Sequence, residues 1–253
     1  MFYYTHSISD NMRDDDYSWD WREERSPHYE VRRVYLFGPR EPDIYRPRGD
    51  RFTFSQTEIQ HLAIAYLVLV ACFSIVLSTG LGGIFFGIDI NWLIYIAFPV
   101  SLIAVGLGFI LHEVAHKFTA QHYGCWSEFR YDERGLLWAL LLSSIIGIVW
   151  AAPGATWISG HVTRRENGII SLAGPATNIT IASILLIPIT ILPFGLITIY
   201  LIYSGFIIAF LAVFNLIPIS PLDGSKIWRW NPGLYILAMA VGIVLVGYYW
   251  FGI

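Results

Sequence analysis

The 253-residue chain is 55% hydrophobic and 14% charged, with a mean hydropathy of +0.54. A soluble domain of this length carries roughly 25% charged residues, so lipid is the expected solvent for most of the chain. The net charge of −3 gives no reason to expect a nucleic-acid partner, and the two cysteines, Cys72 and Cys125, form neither a disulfide framework nor a CxxC site.

Charge is concentrated at one end. Of the 19 acidic residues 12 lie before position 60, as do 9 of the 16 basic ones. Residues 1–54 therefore read as a polar, aromatic extension, with no apolar core that would mark a signal peptide. The stretch FGPREPDIYRPRGDR cannot be helical, because each proline removes a donor and restricts its predecessor. The many Tyr and Trp residues of 1–54 suit a membrane surface or the protein's own loops.

The first helix is expected at Ser55, an N-cap, with Glu58 completing a capping box and Phe54 and Ile59 at the staple positions. The apolar run from Ile59 to Thr79 is long enough to span a bilayer. A second span runs from Trp92 to Gln121, with Pro99 as a kink or a true start. A polar turn, 122–135, follows, then an apolar segment from Leu136 to Trp150. The stretch 151–162 has the alternation of a β-hairpin. Further spans are expected at Ile169–Ile191, Leu196–Leu216 and Pro232–Phe251.

These elements predict an all-α polytopic membrane protein with five to six transmembrane helices and a re-entrant helix and hairpin. Full passage of 136–150 would scatter Lys117, Arg130, Arg134, Arg164, Arg165, Lys226 and Arg229 over both faces. Entry and return of 136–163 on one side gathers them with the Arg-rich extension. The positive-inside rule then favours five spans, a cytosolic N-terminus and a site nearer the cytosolic face.

The chemistry lies in the second span. Residues 112–116 read His-Glu-Val-Ala-His. On a helix, positions i and i+4 share a face about 6 Å apart, so both imidazoles can reach one tetrahedral metal. Glu113 lies beside that face, where a carboxylate can take a proton from water. Three ionisable groups in a span are costly without a compensating partner.

Two residues compete as third ligand. His122 would sit about 15 Å along the axis from His112 if the helix continues, off its face. Asp223 lies in Asn-Leu-Ile-Pro-Ile-Ser-Pro-Leu-Asp-Gly, 215–224, where Pro218 and Pro221 break a helix and a carboxylate can turn inward. Gly224 would permit a tight turn there.

Together the two motifs resemble the site-2 protease family of intramembrane metalloproteases, which pairs HExxH with Asn-x-x-Pro-x-x-Pro-Leu-Asp-Gly on a later span. Ala-Gly-Pro-Ala-Thr-Asn, 173–178, is similar to the family's AGPxxN element, and the resemblance covers residues 90–230 within a membrane domain of 55–253. It implies one zinc ion per chain, held by His112, His116 and Asp223, with Glu113 as catalytic base. It also implies a role for Asn215 toward substrate backbone or oxyanion, and a polar position for Asn178 near the cleft. The implied substrate is a single-span membrane protein met within the lipid bilayer. No segment has room for a PDZ or CBS module. The alternative functions are a non-catalytic metal-binding scaffold and a metal transporter, although the paired broken-helix repeats of transporters are not visible. A rhomboid GxSG site and a presenilin-type pair of aspartates are not matched.

Overall fold

The computed structural model describes residues 29–30, 52–80, 83–150 and 152–251. The expectation of a polar extension over 1–54 falls almost wholly outside them. The described elements in chain order are β1 (Tyr29–Glu30), α1 (Gln56–Thr79), α2 (Ile90–His122), β2 (Trp126–Tyr131), α3 (Glu133–Ile146), β3 (Gly154–Ser159) and β4 (His161–Val162). They continue with α4 (Arg164–Ile191), α5 (Leu196–Leu216), α6 (Asp223–Trp230) and α7 (Pro232–Phe251). A short 3-10 turn at Gly83–Phe86 links α1 to α2.

Five of these helices, α1, α2, α4, α5 and α7, are long and apolar enough to cross a membrane. Their outward faces carry residues such as Leu67, Ile94, Ile187, Ile197 and Val244, each more than half exposed, as a lipid solvent allows. Hydroxyls along the spans are satisfied within their own helix. Ser74, Ser78, Ser101, Thr119 and Thr177 each donate to the carbonyl four residues earlier.

At 14 residues α3 is too short to span. Its ends also show that it turns back. Residues 131 and 154 are strand partners, and the Asp132 N–H donates to the Pro153 carbonyl at 2.8 Å. The segment between them leaves and re-enters at one level, and α3 packs on α1. The helices α1, α4 and α7 then start, and α2 and α5 end, at the same face of the bundle. All seven Lys and Arg after residue 60 lie toward that face.

The expected hairpin at 151–162 is corrected. β3 pairs antiparallel not with β4 but with β2, in the register Trp126↔Ser159 to Tyr131↔Gly154, and β4 pairs with β1. The stretch read as a polar turn thus contains a six-residue strand. It gave no alternating signal because Ser127, Glu128 and Phe129 are all buried in succession.

Pro99 neither starts nor breaks α2. A wider π turn at Leu93–Ala97 absorbs the proline ring. The carbonyl of Tyr95, left without the Pro99 N–H, accepts instead from the Tyr200 hydroxyl at 2.5 Å. A second π turn, Gly106–Ile110, lies just before His112.

The capping box at the start of α1 is half formed. The Ser55 hydroxyl accepts from the Glu58 N–H at 3.1 Å. The Glu58 side chain does not return the bond. It is buried, accepting from Lys117 Nζ at 2.6 Å and from the Phe129 N–H at 3.1 Å.

Candidate metal centre

Three side chains from two distant segments converge near the end of α2. His112 and His116, one turn apart, bring their Nε2 atoms to 3.0 Å. Asp223 Oδ2 lies 3.4 Å from His112 Nε2 and 2.9 Å from His116 Nε2. Ligands around a tetrahedral ion with bonds of about 2.0 Å stand about 3.3 Å apart, so these spacings match one zinc-sized cation. Among the described residues this is the group of His, Cys, Asp and Glu that could hold a metal ion.

The donor set suits a cation. His116 Nδ1 lies 2.7 Å from the Ile170 carbonyl of α4, an acceptor, so Nδ1 carries the proton and donates. In the neutral ring, Nε2 then presents a lone pair toward a second imidazole nitrogen and a carboxylate oxygen, all nearly sealed from water. Electron-rich atoms facing one another in a buried site are compensated by a positive ion between them.

The backbone supplies the room. Gly174 of α4 packs directly over the pair, and a Cβ there would lie 2.5 Å from both Nε2 atoms. The element Ala-Gly-Pro, 173–175, thus matters here because its glycine carries no side chain, a role the sequence did not reveal.

Asp223 reaches the site because α5 stops at Leu216. Pro218 and Pro221 lie in the following turn, and Asp223 opens α6, where a helix N-terminus favours a carboxylate. Gly224 acts differently from expectation. Its φ is not positive, so the turn does not require it. It is needed for close approach, since a Cβ would lie 2.0 Å from the Leu216 carbonyl oxygen. The other carboxylate oxygen, Oδ1, accepts from Lys226 Nζ at 3.2 Å. Burial alone would push the Asp223 carboxyl up. The His116 ring in its protonated form and the Lys226 ammonium outweigh that and hold it well below the ordinary carboxylate range.

Beside these three side chains is a cavity of about 50 Å³, room for a few waters. His112, Glu113 and Asn215 supply its polar wall, and Phe109, Leu211 and Leu222 are among its apolar lining. Glu113 accepts a hydrogen bond from the Thr156 hydroxyl of β3 at 2.7 Å, a partner not foreseen from the sequence. Asn215 uses one amide hydrogen on the Leu211 carbonyl at 3.0 Å, which orients the group. Asn178 is fully buried on α4, one turn beyond Gly174, and does not line this cavity. Neither of its amide atoms has a partner among the described residues. His122 ends α2 against the Tyr123 ring and is not in the ligand group.

Comparison with known proteins places this geometry in context. The chain is 40% identical over 199 residues to "Putative zinc metalloprotease MJ0611" of Methanocaldococcus jannaschii, covering 78% of this chain and 95% of that protein. No family model matches the chain, and no solved structure matches it.

Proposed function

Since the chain belongs to the zinc metalloprotease family of this methanogen relative, we propose that it is an intramembrane zinc metalloendopeptidase of the site-2 protease type. In this reading it cleaves spans of single-span membrane proteins. The observation that carries it is the meeting of His112 Nε2, His116 Nε2 and Asp223 Oδ2 beside a cavity walled by Glu113 and Asn215.

His112, His116 and Asp223 would hold one zinc ion per chain; when bound, the metal supplies Lewis acidity toward water and a substrate carbonyl. Glu113 takes a proton from the attacking water as its oxygen adds to the carbonyl carbon. The Asn215 amide, with one hydrogen uncommitted, donates to the oxyanion that develops. As the C–N bond breaks, Glu113 returns the proton to the leaving amine. A carboxylate and a protonated amine result, the second proton of the water passing from the new carboxyl to the amine.

A helical substrate hides its peptide bonds, so it must unwind first. Among the described residues β3 has one strand partner, β2, and its Gly154 end lines the cavity. An unwound segment could therefore pair along β3, with the bilayer as the medium from which it enters. The gathering of Lys and Arg at the site's end of the bundle supports a cytosolic placement of that end and of the N-terminus.

A metal-binding scaffold or transporter has no use for Glu113 in this cavity. Glu113→Gln should keep zinc and abolish proteolysis, and membrane proteomics with that variant should show single-span proteins accumulating. Retention of proteolysis by Glu113→Gln rejects the reading.

A further inference from the structure

We propose that Thr156 is a positioning residue that fixes the Glu113 carboxylate for proton transfer, an inference that rests on the protease reading above. A glutamate stem is flexible, and proton transfer requires one oxygen within hydrogen-bond reach of the water. Thr156 Oγ1 donates to Glu113 Oε2 at 2.7 Å. A bond to an ionised carboxylate is stronger than a neutral one. It occupies Oε2 and leaves Oε1 as the oxygen that accepts the proton.

The donor is itself firmly held. Thr156 is buried, and a β-branched side chain has little freedom at χ1. Its strand partner is Phe129 of β2. The Phe129 N–H donates to Glu58 of α1, and the Ser127 carbonyl accepts from Lys117 Nζ at 2.9 Å. Lys117 stands one turn beyond Glu113 on the same helix. The contacts therefore form a closed ring: α2 anchors β2, β2 carries β3, and β3 reaches back to α2 at the base. The sheet sets where the Thr156 hydroxyl sits relative to the metal ligands.

The test compares Thr156→Val, which keeps the shape and removes the hydroxyl, with Thr156→Ser, which keeps the hydroxyl. Metal-free full-length protein in detergent is examined by infrared difference spectroscopy, with the Glu113→Gln difference marking the Glu113 carboxylate stretch. Thr156→Val should shift that band and Thr156→Ser should leave it in place; an unshifted band in Thr156→Val overturns the proposal. With zinc restored, cleavage is followed on a synthetic peptide carrying an apolar span of about 20 residues interrupted by Gly-Pro. Thr156→Val should lower kcat by about tenfold or more with KM and zinc content unchanged, and Thr156→Ser should recover most of the rate. Equal losses in both variants, or none in Thr156→Val, overturn the positioning role. If Glu113→Gln is inactive while Thr156→Val is not slowed, only this proposal falls. If Glu113→Gln still cleaves, the protease reading falls.

Discussion

Lys117 places its ammonium 2.6 Å from the Glu58 carboxylate, with both side chains about 2% exposed. The pair joins the start of α1 to the helix that carries both imidazoles. The Ser127 carbonyl, the Phe129 N–H and the Phe54 ring, 4.8 Å from Nζ, complete its surroundings. Removing one partner of such a pair strands a buried charge and costs about 3–5 kcal/mol, whereas replacing both with apolar groups is often neutral. Glu58→Leu and Lys117→Met should each lower the thermal midpoint in detergent, and the double variant should recover part of the loss. Additive losses would contradict this.

Gly174 bears on metal binding without supplying a ligand. A methyl group there would lie 2.5 Å from both Nε2 atoms, so Gly174→Ala should displace the imidazoles and lower zinc affinity well over tenfold. Gly247→Ala is the control, because nothing lies within 4 Å of its Cβ position. Equilibrium zinc titration of the two variants separates the local effect from a general helix effect.

Lys226 holds the Asp223 oxygen that does not face the imidazoles. Lys226→Met should free the carboxylate to rotate and weaken zinc binding by about 10–100-fold, with Lys226→Arg intermediate. Zinc competition against a chelator of known affinity measures the change.

Acid should release zinc through the imidazoles before Asp223. The Asp223 carboxyl is held below its ordinary range, so its stabilising contribution is complete above about 3.9 and disappears only as pH falls through the lowered value. The imidazoles bind zinc only when unprotonated, so protons compete with the metal for both rings. Zinc content measured after dialysis should therefore fall while Asp223 is still ionised. Retention of zinc down to the carboxylate range would contradict this order.

The spans and the paired imidazoles were legible in the sequence because apolar length and i, i+4 spacing are local signals, whereas Asp223 was singled out over His122 by the resemblance of 215–224 to a family motif. The ends of α5 and α7 fall where Leu216 and Phe251 were expected. What escaped was set by distant contacts. Glu58 fits a capping box by spacing, yet its carboxylate serves Lys117, 59 residues away. Trp126–Tyr131 shows no alternation because both sides of the strand are covered, with Glu128 buried against Arg130 at 2.5 Å. Thr156 carries no mark of its bond to Glu113, and Gly174 matters through the side chain it lacks.

The most direct measurement is zinc stoichiometry with X-ray absorption spectroscopy on the purified chain and on Asp223→Ala. The expected result is one zinc per chain with a shell of two imidazole nitrogens and oxygen, and near-complete loss of zinc in Asp223→Ala. A zinc ion bound equally well by Asp223→Ala, with an unchanged shell, would contradict a site shared between the two segments.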